Sequence, residues 1–389
     1  MAELLTIPFA AFLAQVLSTR WLFALSASLF IPAGALCGMA WDISSMTAFR
    51  VIQGFVGGAI VPTVFATGWA PFSGRQRATI PAILGMVSVL APTLGRTVGG
   101  WLTDAMGWRS IFYINISPGL IVTILAILVM RVDRPDLKML GKIDYAHLGS
   151  PAVFLGCLEY LLEEGSKRER FGDPLIQGVA WISLVTFVLL LARSFKSSGP
   201  IVKLAPFRLP TLASACTFNL VIGFGLYSST YMIPVFLARV RGYGSLPIGT
   251  TVLVTGLAQV VSSVIAACAF QTVDQLFLIV VGLSPFATSL WLALNGLGAA
   301  ELRYASGLFN LIRNLGGSIG VATVNTWLQY NTRIEAWRMS QTLGGAGRRA
   351  PEFIAAMTAR IAPMSGDLDQ AGRLAKSEFG QLVGRVALT

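Results

Sequence analysis

Long runs of apolar residues alternate along this chain with short polar connections. The runs lie at about 2–17, 22–40, 46–70, 80–101, 111–130, 148–162, 175–195, 209–236, 248–270, 276–294 and 305–328. Most of them approach or reach the roughly 17–25 residues that cross a bilayer as an α-helix. The pattern predicts an all-α, polytopic membrane protein with about 11 transmembrane helices. The polar tail that follows, 329–389, is expected in water or at the membrane interface.

Composition supports a membrane protein over a soluble one. Of the 389 residues, 54% are hydrophobic and only 12% are charged, and the mean hydropathy is +0.70. Soluble domains carry about 25% charged residues. The net charge of +11 is spread over the short connections, and no single basic patch of the kind that binds nucleic acid is present. We therefore expect the lipid bilayer as a partner and no nucleic acid.

Lysine and arginine positions predict which connections face the cytoplasm. The connections after the first, third, fifth and seventh runs hold more of these residues than the alternate ones. The positive-inside rule assigns them to the cytoplasmic side, so residue 1 would start outside. The first run covers only roughly 24 Å as a helix, against a hydrocarbon core of about 30 Å.

Small and polar residues share one face of the third run, in the stretch FRVIQGFVGGAIVP. Their spacing of three and four residues places them on a common side of a helix. They are Arg50, Gln53, Gly54, Gly57 and Gly58. Another helix can approach closely along Gly54 and Gly58, while Arg50 and Gln53 point into the bundle.

The fourth run repeats this pattern and includes a charge, in ILGMVSVLAPTLGRTVGG. An arc of about 100° holds Gly85, Ser88, Pro92, Gly95, Arg96 and Gly99. Arg96 is therefore predicted on a helix-packing stripe near the outer end of its span, where a long side chain can reach the interface. Asp104 is the first candidate for its carboxylate partner.

A third stripe lies in ASGLFNLIRNLGGSIG. Its aligned residues are Ser306, Asn310, Arg313, Gly317 and Gly320, and Gly316 with Gly320 offers a further close-packing surface. The glycine spacing echoes that of the fourth run. A weak internal repeat of this kind is typical of transporters built from two related halves.

These stretches resemble the fourteen-span drug:proton antiporters of the major facilitator superfamily. The resemblance covers residues 1–330 and implies two helical bundles around a central cavity, with two extra spans at 148–162 and 175–195. It divides the chain into 1–130, 131–208, 209–328 and 329–389. These segments are an N-terminal bundle lacking its first span, a linker with the two extra spans, an incomplete C-terminal bundle and the polar tail.

The resemblance also carries residue roles. The family pattern R-x-x-Q-G-x-x-G-G, whose arginine is associated with proton coupling, matches Arg50, Gln53, Gly54, Gly57 and Gly58. The antiporter motif matches Gly85, Pro92, Gly95, Gly99 and Gly100, and Arg96 stands where that motif has a second proline. For Arg50 the alternative is a structural tie to carbonyls. For Arg96 the alternatives are a gained function and a tolerated or damaging substitution.

Polar side chains elsewhere in the runs are candidates for lining the cavity. They are Asn115, Asn219, Tyr227, Tyr231, Asn310 and Arg313. Helix-to-helix hydrogen bonding explains Asn310 and Arg313 equally well. Glu159 is a carboxylate well inside a run and could take over proton exchange, although the resemblance does not assign that task to a linker span.

The resemblance implies proton-coupled efflux of small hydrophobic or amphipathic molecules across a bacterial cytoplasmic (inner) membrane, with a periplasmic adaptor as a further partner. Family spans expected before residue 1, between Phe270 and Gln275 and after the tail have no counterpart here, so the set is expected to be truncated. That leaves two alternatives: an inactive remnant of such a transporter, or a membrane scaffold with a partner-binding tail.

Enzyme chemistry has little support in the sequence. The chain has one histidine and four cysteines without a C-x-x-C pair, which argues against a metal site. It contains no phosphate-binding loop. We therefore expect no enzyme activity, no metal and no cofactor.

Overall fold

The computed structural model contains α-helices, and no strand occurs among the residues that it describes. These residues are 2–69, 74–130, 133–138, 145–165, 172–196, 209–269 and 299–344, with isolated positions at 207, 273, 277, 289, 290, 293, 355, 356, 358, 359, 374 and 377. The helices are α1 (Ala2–Leu17), α2 (Thr19–Gly38), α3 (Ile43–Gly57), α4 (Ile60–Trp69), α5 (Gly74–Met106), α6 (Ser110–Tyr113), α7 (Ile116–Val129), α8 (Tyr145–Glu164), α9 (Pro174–Lys196), α10 (Pro210–Arg239), α11 (Ser245–Ala269) and α12 (Ala299–Gly344).

Six of the described helical segments are long and apolar enough to cross a membrane. They are Thr19–Gly38, Ile43–Phe65, Ser110–Val129, Pro174–Ser194, Pro210–Arg239 and Ser245–Ser262. The remaining predicted runs that the structure describes are also helical, in α1, α5, α8 and α12. The predicted run 276–294 lies largely outside the described residues. The all-α, polytopic membrane class expected from the sequence is confirmed.

The third predicted run forms a single span with a local interruption. α3 ends at Gly57 and α4 begins at Ile60, with a turn at Gly58 and Ala59 between them. The Gly58 N–H still donates to the Gly54 carbonyl at 3.0 Å, so the helical hydrogen bonding continues through most of the turn. The interruption lies at the glycine face that the sequence singled out.

Side chains define where α2 and α3 begin. Asp42 caps α3 because its Oδ1 accepts from the Ser45 N–H at 2.6 Å, while Ser45 Oγ accepts from the Asp42 N–H at 3.1 Å. For α2, Asp133 accepts from both the N–H and the hydroxyl of Thr19, at 2.9 and 2.8 Å. The connection after α7 is thereby attached to the start of α2.

The described chain divides into two compact units. The first comprises Met1–Tyr227 and Ser245–Gly320, and the second comprises Ser228–Gly244 and Val321–Thr389. In the first unit, α5 packs on α11, α8 on α9 and α1, and α2 on α3 and α7. Its largest apolar core joins α4, α10 and α12 around Phe65, Leu212 and Phe309.

The last helix continues past the end of the predicted span. α12 runs on to Gly344, although the sequence placed the start of the polar tail at 329. Most of the tail beyond Gly344 lies outside the described residues. The expectation that the tail binds a partner therefore stays a prediction. The four-segment division of the chain remains a prediction.

Candidate functional site

Arg50 and Gln53 form a cluster between α3 and α2. Arg50 Nη1 donates to Gln53 Oε1 at 3.3 Å, and Cys37 Sγ on α2 donates to the same oxygen at 3.7 Å. Gln53 is buried, whereas Arg50 is exposed with its guanidinium 4.7 Å from the centre of the Phe112 ring. The arginine is therefore held by an amide and an aromatic face, and neither of them neutralises its charge.

The glycines of this motif allow two helices to approach α3. A Cβ added at Gly58 would lie 2.9 Å from Thr6 Cβ and would also meet the backbone of Glu3, so α1 packs directly on this face. A Cβ at Gly54 would meet Ala2, and one at Gly57 would lie 3.1 Å from the Phe30 ring on α2. The close approach predicted along Gly54 and Gly58 is confirmed.

The α10 and α12 backbones meet at a second glycine contact. A Cβ at Gly223 would collide with the Arg313 carbonyl, and one at Gly316 would collide with the Leu220 carbonyl. A Cβ at Gly317 would lie 2.6 Å from the Tyr227 ring. Side-chain-free positions on both helices therefore bring the two backbones into contact.

Polar side chains line this contact, and we call them the α10/α12 polar cluster: Asn219, Tyr227, Asn310, Arg313 and Asn314. Asn219 Nδ2 donates to the Phe309 carbonyl at 2.6 Å, and the Tyr227 hydroxyl donates to Asn314 Oδ1 at 2.9 Å. Arg313 Nη2 donates to Asn310 Oδ1 at 3.0 Å. Among the described residues, the buried Asn219 Oδ1 and Asn310 Nδ2 have no hydrogen-bond partner.

Four of the six cavity candidates are therefore brought together, whereas Asn115 and Tyr231 lie elsewhere. Asn115 is exposed between α6 and α7, where its Nδ2 donates to the Ile111 carbonyl at 3.3 Å. Tyr231 belongs to the second unit. Within the described part of the chain, no group of three or more His, Cys, Asp or Glu side chains could hold a metal ion.

The antiporter motif contacts α11 at one edge of the predicted stripe, through Arg96 and the neighbouring Gly100. A Cβ at Gly100 would lie 2.7 Å from the Ser245 carbonyl, and one at Gly249 would lie 2.9 Å from the Arg96 carbonyl. A Cβ at Gly95 or Gly99 would meet no described residue within 4 Å. Of the described residues, those of α11 lie about one residue step, roughly 100°, around the helix from Gly95 and Gly99, at the edge of the stripe that carries Arg96. The packing role of Gly95 and Gly99 stays a prediction.

Arg96 and Asp104 do not pair with each other. Arg96 is half-buried, and Thr97 beside it donates its hydroxyl to the Gly249 carbonyl at 3.0 Å. Asp104, expected as the partner of Arg96, instead accepts from the Leu246 N–H at the start of α11, at 3.3 Å. Gly85 and Pro92 lie in α5, but their surroundings are outside what the structure describes.

Glu159 on α8 is buried and bonded to another helix, which its position in the predicted linker did not suggest. Its side chain is 8% exposed, and Ser318 Oγ on α12 donates to its Oε1 at 3.0 Å. The sequence identified the carboxylate but gave no signal for its partner, because Ser318 lies far along the chain. The bond between Asn314 and Tyr227 was likewise not predicted from the sequence.

A family model described as Major Facilitator Superfamily matches residues 1–332. The chain belongs to the Major Facilitator Superfamily. It is 30% identical over 377 residues to the colistin resistance protein EmrB of Acinetobacter baumannii, covering 88% of this chain and 74% of that protein. It is 25% identical over 366 residues to the multidrug export protein EmrB of Haemophilus influenzae, covering 85% and 71%. With the Escherichia coli protein of the same name it shares 24% identity over 361 residues, covering 84% and 70%.

One solved structure shares the fold. The human organic anion transporter MFSD10 (TETRAN) superposes with a TM-score of 0.56 at 12% identity, over 100% of this chain and 81% of that chain. These comparisons confirm the family expected from the sequence motifs and the helical membrane fold that goes with it. The chain is a multi-pass membrane protein of a family that transports small molecules.

Proposed function

We propose that this chain is a proton-coupled exporter of small amphipathic molecules. The observation that carries the proposal is the 30% identity with a colistin resistance protein over 88% of the chain. The family model matches residues 1–332, which include every residue assigned a role below. Members of the superfamily move substrate by rocking two bundles around a site near the middle of the membrane.

Arg50 is the residue that we assign to proton coupling. Arginine carries a permanent charge, and a charged residue within a membrane span is a functional-site hypothesis by default. The bond to Gln53 and the contact with Phe112 fix its position without cancelling the charge. An uncancelled positive charge favours the ionised state of a carboxylate in its surroundings, which is what a proton-releasing step requires.

The α10/α12 polar cluster is the part of the substrate cavity that we assign. Asn219 and Asn310 are fully buried and each keep one polar atom unsatisfied among the described residues, so a ligand reaches these atoms when the helices move apart. Gly223 and Gly316 hold the two helices at the distance at which these side chains meet. An apolar surface with a few fixed polar groups suits an amphipathic ligand.

The bacterial cytoplasmic membrane is the location that we propose, because the compared EmrB relatives are bacterial. Protons are the proposed coupling partner. The family resemblance further suggests a periplasmic adaptor that would pass the exported molecule onward.

Dye efflux tests the proposed function directly. The chain is expressed in a bacterium that lacks its own multidrug pumps, and ethidium accumulation is followed by fluorescence. We expect lower accumulation than in cells with an empty vector, and we expect a protonophore to abolish the difference. Unchanged accumulation, with the protein detected in the membrane fraction, would favour the inactive remnant.

The assignment of Arg50 is tested in the same cells. Arg50→Ala is expected to abolish efflux, because the permanent charge is lost. Lys138→Ala, which removes a cation from an exposed connection, serves as the matched control and is expected to leave efflux unchanged. Full efflux by the Arg50→Ala protein would reject the assignment.

A further inference from the structure

The inward face of α8 carries a carboxylate. Pro151, Leu155 and Glu159 recur every four residues and are all buried, so they form one row along the helix. The other side of the helix, at Val153, is exposed, and the row itself becomes exposed one turn beyond Glu159, at Glu163. The polypeptide therefore turns Glu159 toward the neighbouring helices and away from the surroundings of the protein.

Within the part of the chain whose burial is described, Glu159 is the buried acidic side chain. Asp104 and Glu301 are exposed, and Glu3 is intermediate. A carboxylate within a membrane span is expensive to bury and is a functional site by default. Neither the proton-coupling role of Arg50 nor the cavity role of the α10/α12 polar cluster explains why Glu159 is buried.

Three helices surround the face that bears Glu159. α8 packs against α9 and α1. At the contact with α1, a Cβ added at Gly156 would lie 3.5 Å from the Leu5 side chain. Ser318 on α12 donates its hydroxyl to Glu159 Oε1 at 3.0 Å. Glu159 therefore ties a helix of the predicted linker to the helix that carries the α10/α12 polar cluster.

Charged groups near Glu159 lie on its own helix and on the helices that pack against it. Glu163, one turn further along α8, is close enough to act on it electrostatically. The charged residues of the other surrounding helices, within the first unit, are Glu3 on α1, Arg193 and Lys196 on α9, and Glu301, Arg303 and Arg313 on α12. Arg313 and Ser318 lie on the same helix, five residues apart in sequence.

We propose that Glu159 is the carboxylate that binds and releases the transported proton, and that Ser318 reports its ionisation state to α12. This assignment rests on the proposed exporter function. The step is a proton transfer: the carboxylate takes one proton from the outer side and releases it on the inner side, without a change of oxidation state. Ionised, Glu159 holds α12 through a charge-assisted bond from Ser318. Protonation removes that charge and weakens the tie, which lets α12 move.

The decisive variant is Glu159→Gln. Glutamine has nearly the same shape and keeps an oxygen that accepts from Ser318, but it cannot ionise. A purely structural role would therefore survive this change, whereas proton exchange would not. Glu159→Asp keeps an ionisable group, and Glu163→Gln is the matched control, because Glu163 is an exposed carboxylate one turn further along the same helix.

The assay uses the purified full chain in liposomes with ethidium as the probe. One measurement follows uptake driven by a pH gradient, and the other follows exchange of labelled against unlabelled ethidium without a gradient. We expect Glu159→Gln to lose gradient-driven uptake to the level of protein-free liposomes and to retain exchange. Glu159→Asp should retain gradient-driven uptake, and Glu163→Gln should match the wild type in both measurements.

Ser318→Ala tests the tie to α12. It leaves the carboxylate in place, so gradient-driven uptake should persist, but the pH of half-maximal uptake should shift from that of the wild type. An unshifted profile would overturn the role of Ser318.

Other outcomes separate the two proposals. Gradient-driven uptake by Glu159→Gln equal to that of the wild type would overturn the role of Glu159, and so would loss of uptake and exchange together. Absence of gradient-driven uptake in the wild-type chain would overturn the exporter proposal itself, before any variant is compared.

Discussion

Backbone carbonyls hold many of the buried polar side chains of this protein. Asn219 donates to the Phe309 carbonyl, Ser306 Oγ donates to the Pro62 carbonyl at 3.3 Å, and Thr97 donates to the Gly249 carbonyl. Each bond joins two different helices. Such bonds fix the relative position of two helices without the desolvation penalty of a buried ion pair.

Removing the Asn219 amide should destabilise the protein measurably. Asn219 is fully buried and its bond to Phe309 is short, so we expect Asn219→Ala to lower the free energy of unfolding by about 0.6–1.7 kcal/mol, the range for interhelical bonds in membranes. The measurement is denaturant unfolding in detergent micelles. Asn115→Ala is the control, because Asn115 is exposed and bonds within its own segment. Equal effects of the two variants would contradict this expectation.

The Asp42 cap makes the stability of the chain sensitive to acid. The side chain and the N–H of Ser45 donate toward Asp42 and lower its pKa below the ordinary value. A lowered folded-state pKa means that the stabilisation is complete above the unfolded pKa of about 3.9 and is lost as the pH falls through the folded value. Asp42→Asn keeps a capping side chain but removes the titration.

Thermal unfolding against pH checks this cap. Below about pH 4, the melting temperature of the wild type should decline more steeply than that of Asp42→Asn. At neutral pH the two proteins should both retain a capped α3. Parallel curves throughout the acid range would show that the cap contributes no pH dependence.

Among the helices, glycine positions determine which pairs come into backbone contact. Gly58 brings α1 onto α3, Gly100 and Gly249 bring α5 onto α11, and Gly223 and Gly316 bring α10 onto α12. The spacing in the sequence predicted that such contacts exist, because small residues every four positions form a groove. It could not predict the partner helix, since partners lie far apart in the chain.

The fourth run illustrates that limit. Periodicity placed Gly95 and Gly99 at the centre of a small-residue stripe, and that stripe is present on α5. The neighbouring helix contacts the adjacent Gly100, because its position depends on α11 and on the Leu246 N–H bond to Asp104. The family motif identified the segment correctly, whereas the contact face became visible only in three dimensions.

Two adjacent alanine substitutions on α5 should differ in sign. Gly100→Ala places a Cβ 2.7 Å from the Ser245 carbonyl, and we expect it to destabilise by about 1–3 kcal/mol, as overpacking does. Gly99→Ala meets open space and should be neutral or stabilise by about 0.5–1 kcal/mol, because alanine favours a helix more than glycine does. Unfolding in detergent provides both values. If Gly99→Ala were destabilising, α11 would have to pack on the Gly99 face of α5 instead of the Gly100 face.

Over the whole molecule, the apolar exterior agrees with the bilayer expected from composition. α7 and α9 expose large apolar side chains along their lengths, including Leu125, Leu128, Trp181, Val185 and Val188. A soluble protein rarely exposes continuous apolar surface of this extent. The sequence therefore predicted the class and the helices well, because both follow from hydropathy. The tie between Glu159 and Ser318 was not predictable, because no local pattern links α8 to α12.

Cysteine labelling distinguishes lipid-facing from water-facing exposure. Val185 is 53% exposed and Tyr243, between α10 and α11, is 44% exposed. A cysteine at either position would therefore react with a maleimide if its surroundings were water. In a background without the native cysteines, we expect Tyr243→Cys to react with a membrane-impermeant maleimide when its side of the membrane is accessible. Val185→Cys should react only after solubilisation and unfolding. Rapid labelling of Val185→Cys in intact membranes would place α9 in water.

The backbone contact that α10 and α12 make at Gly223 and Gly316 has a genetic consequence. Any single-nucleotide missense change in a glycine codon introduces an amino acid with a β-carbon. At these two codons that atom would run into the Arg313 or Leu220 carbonyl of the opposite helix. In a library of all single substitutions, nearly every variant at positions 223 and 316 should therefore drop out under selection for growth in a toxic dye.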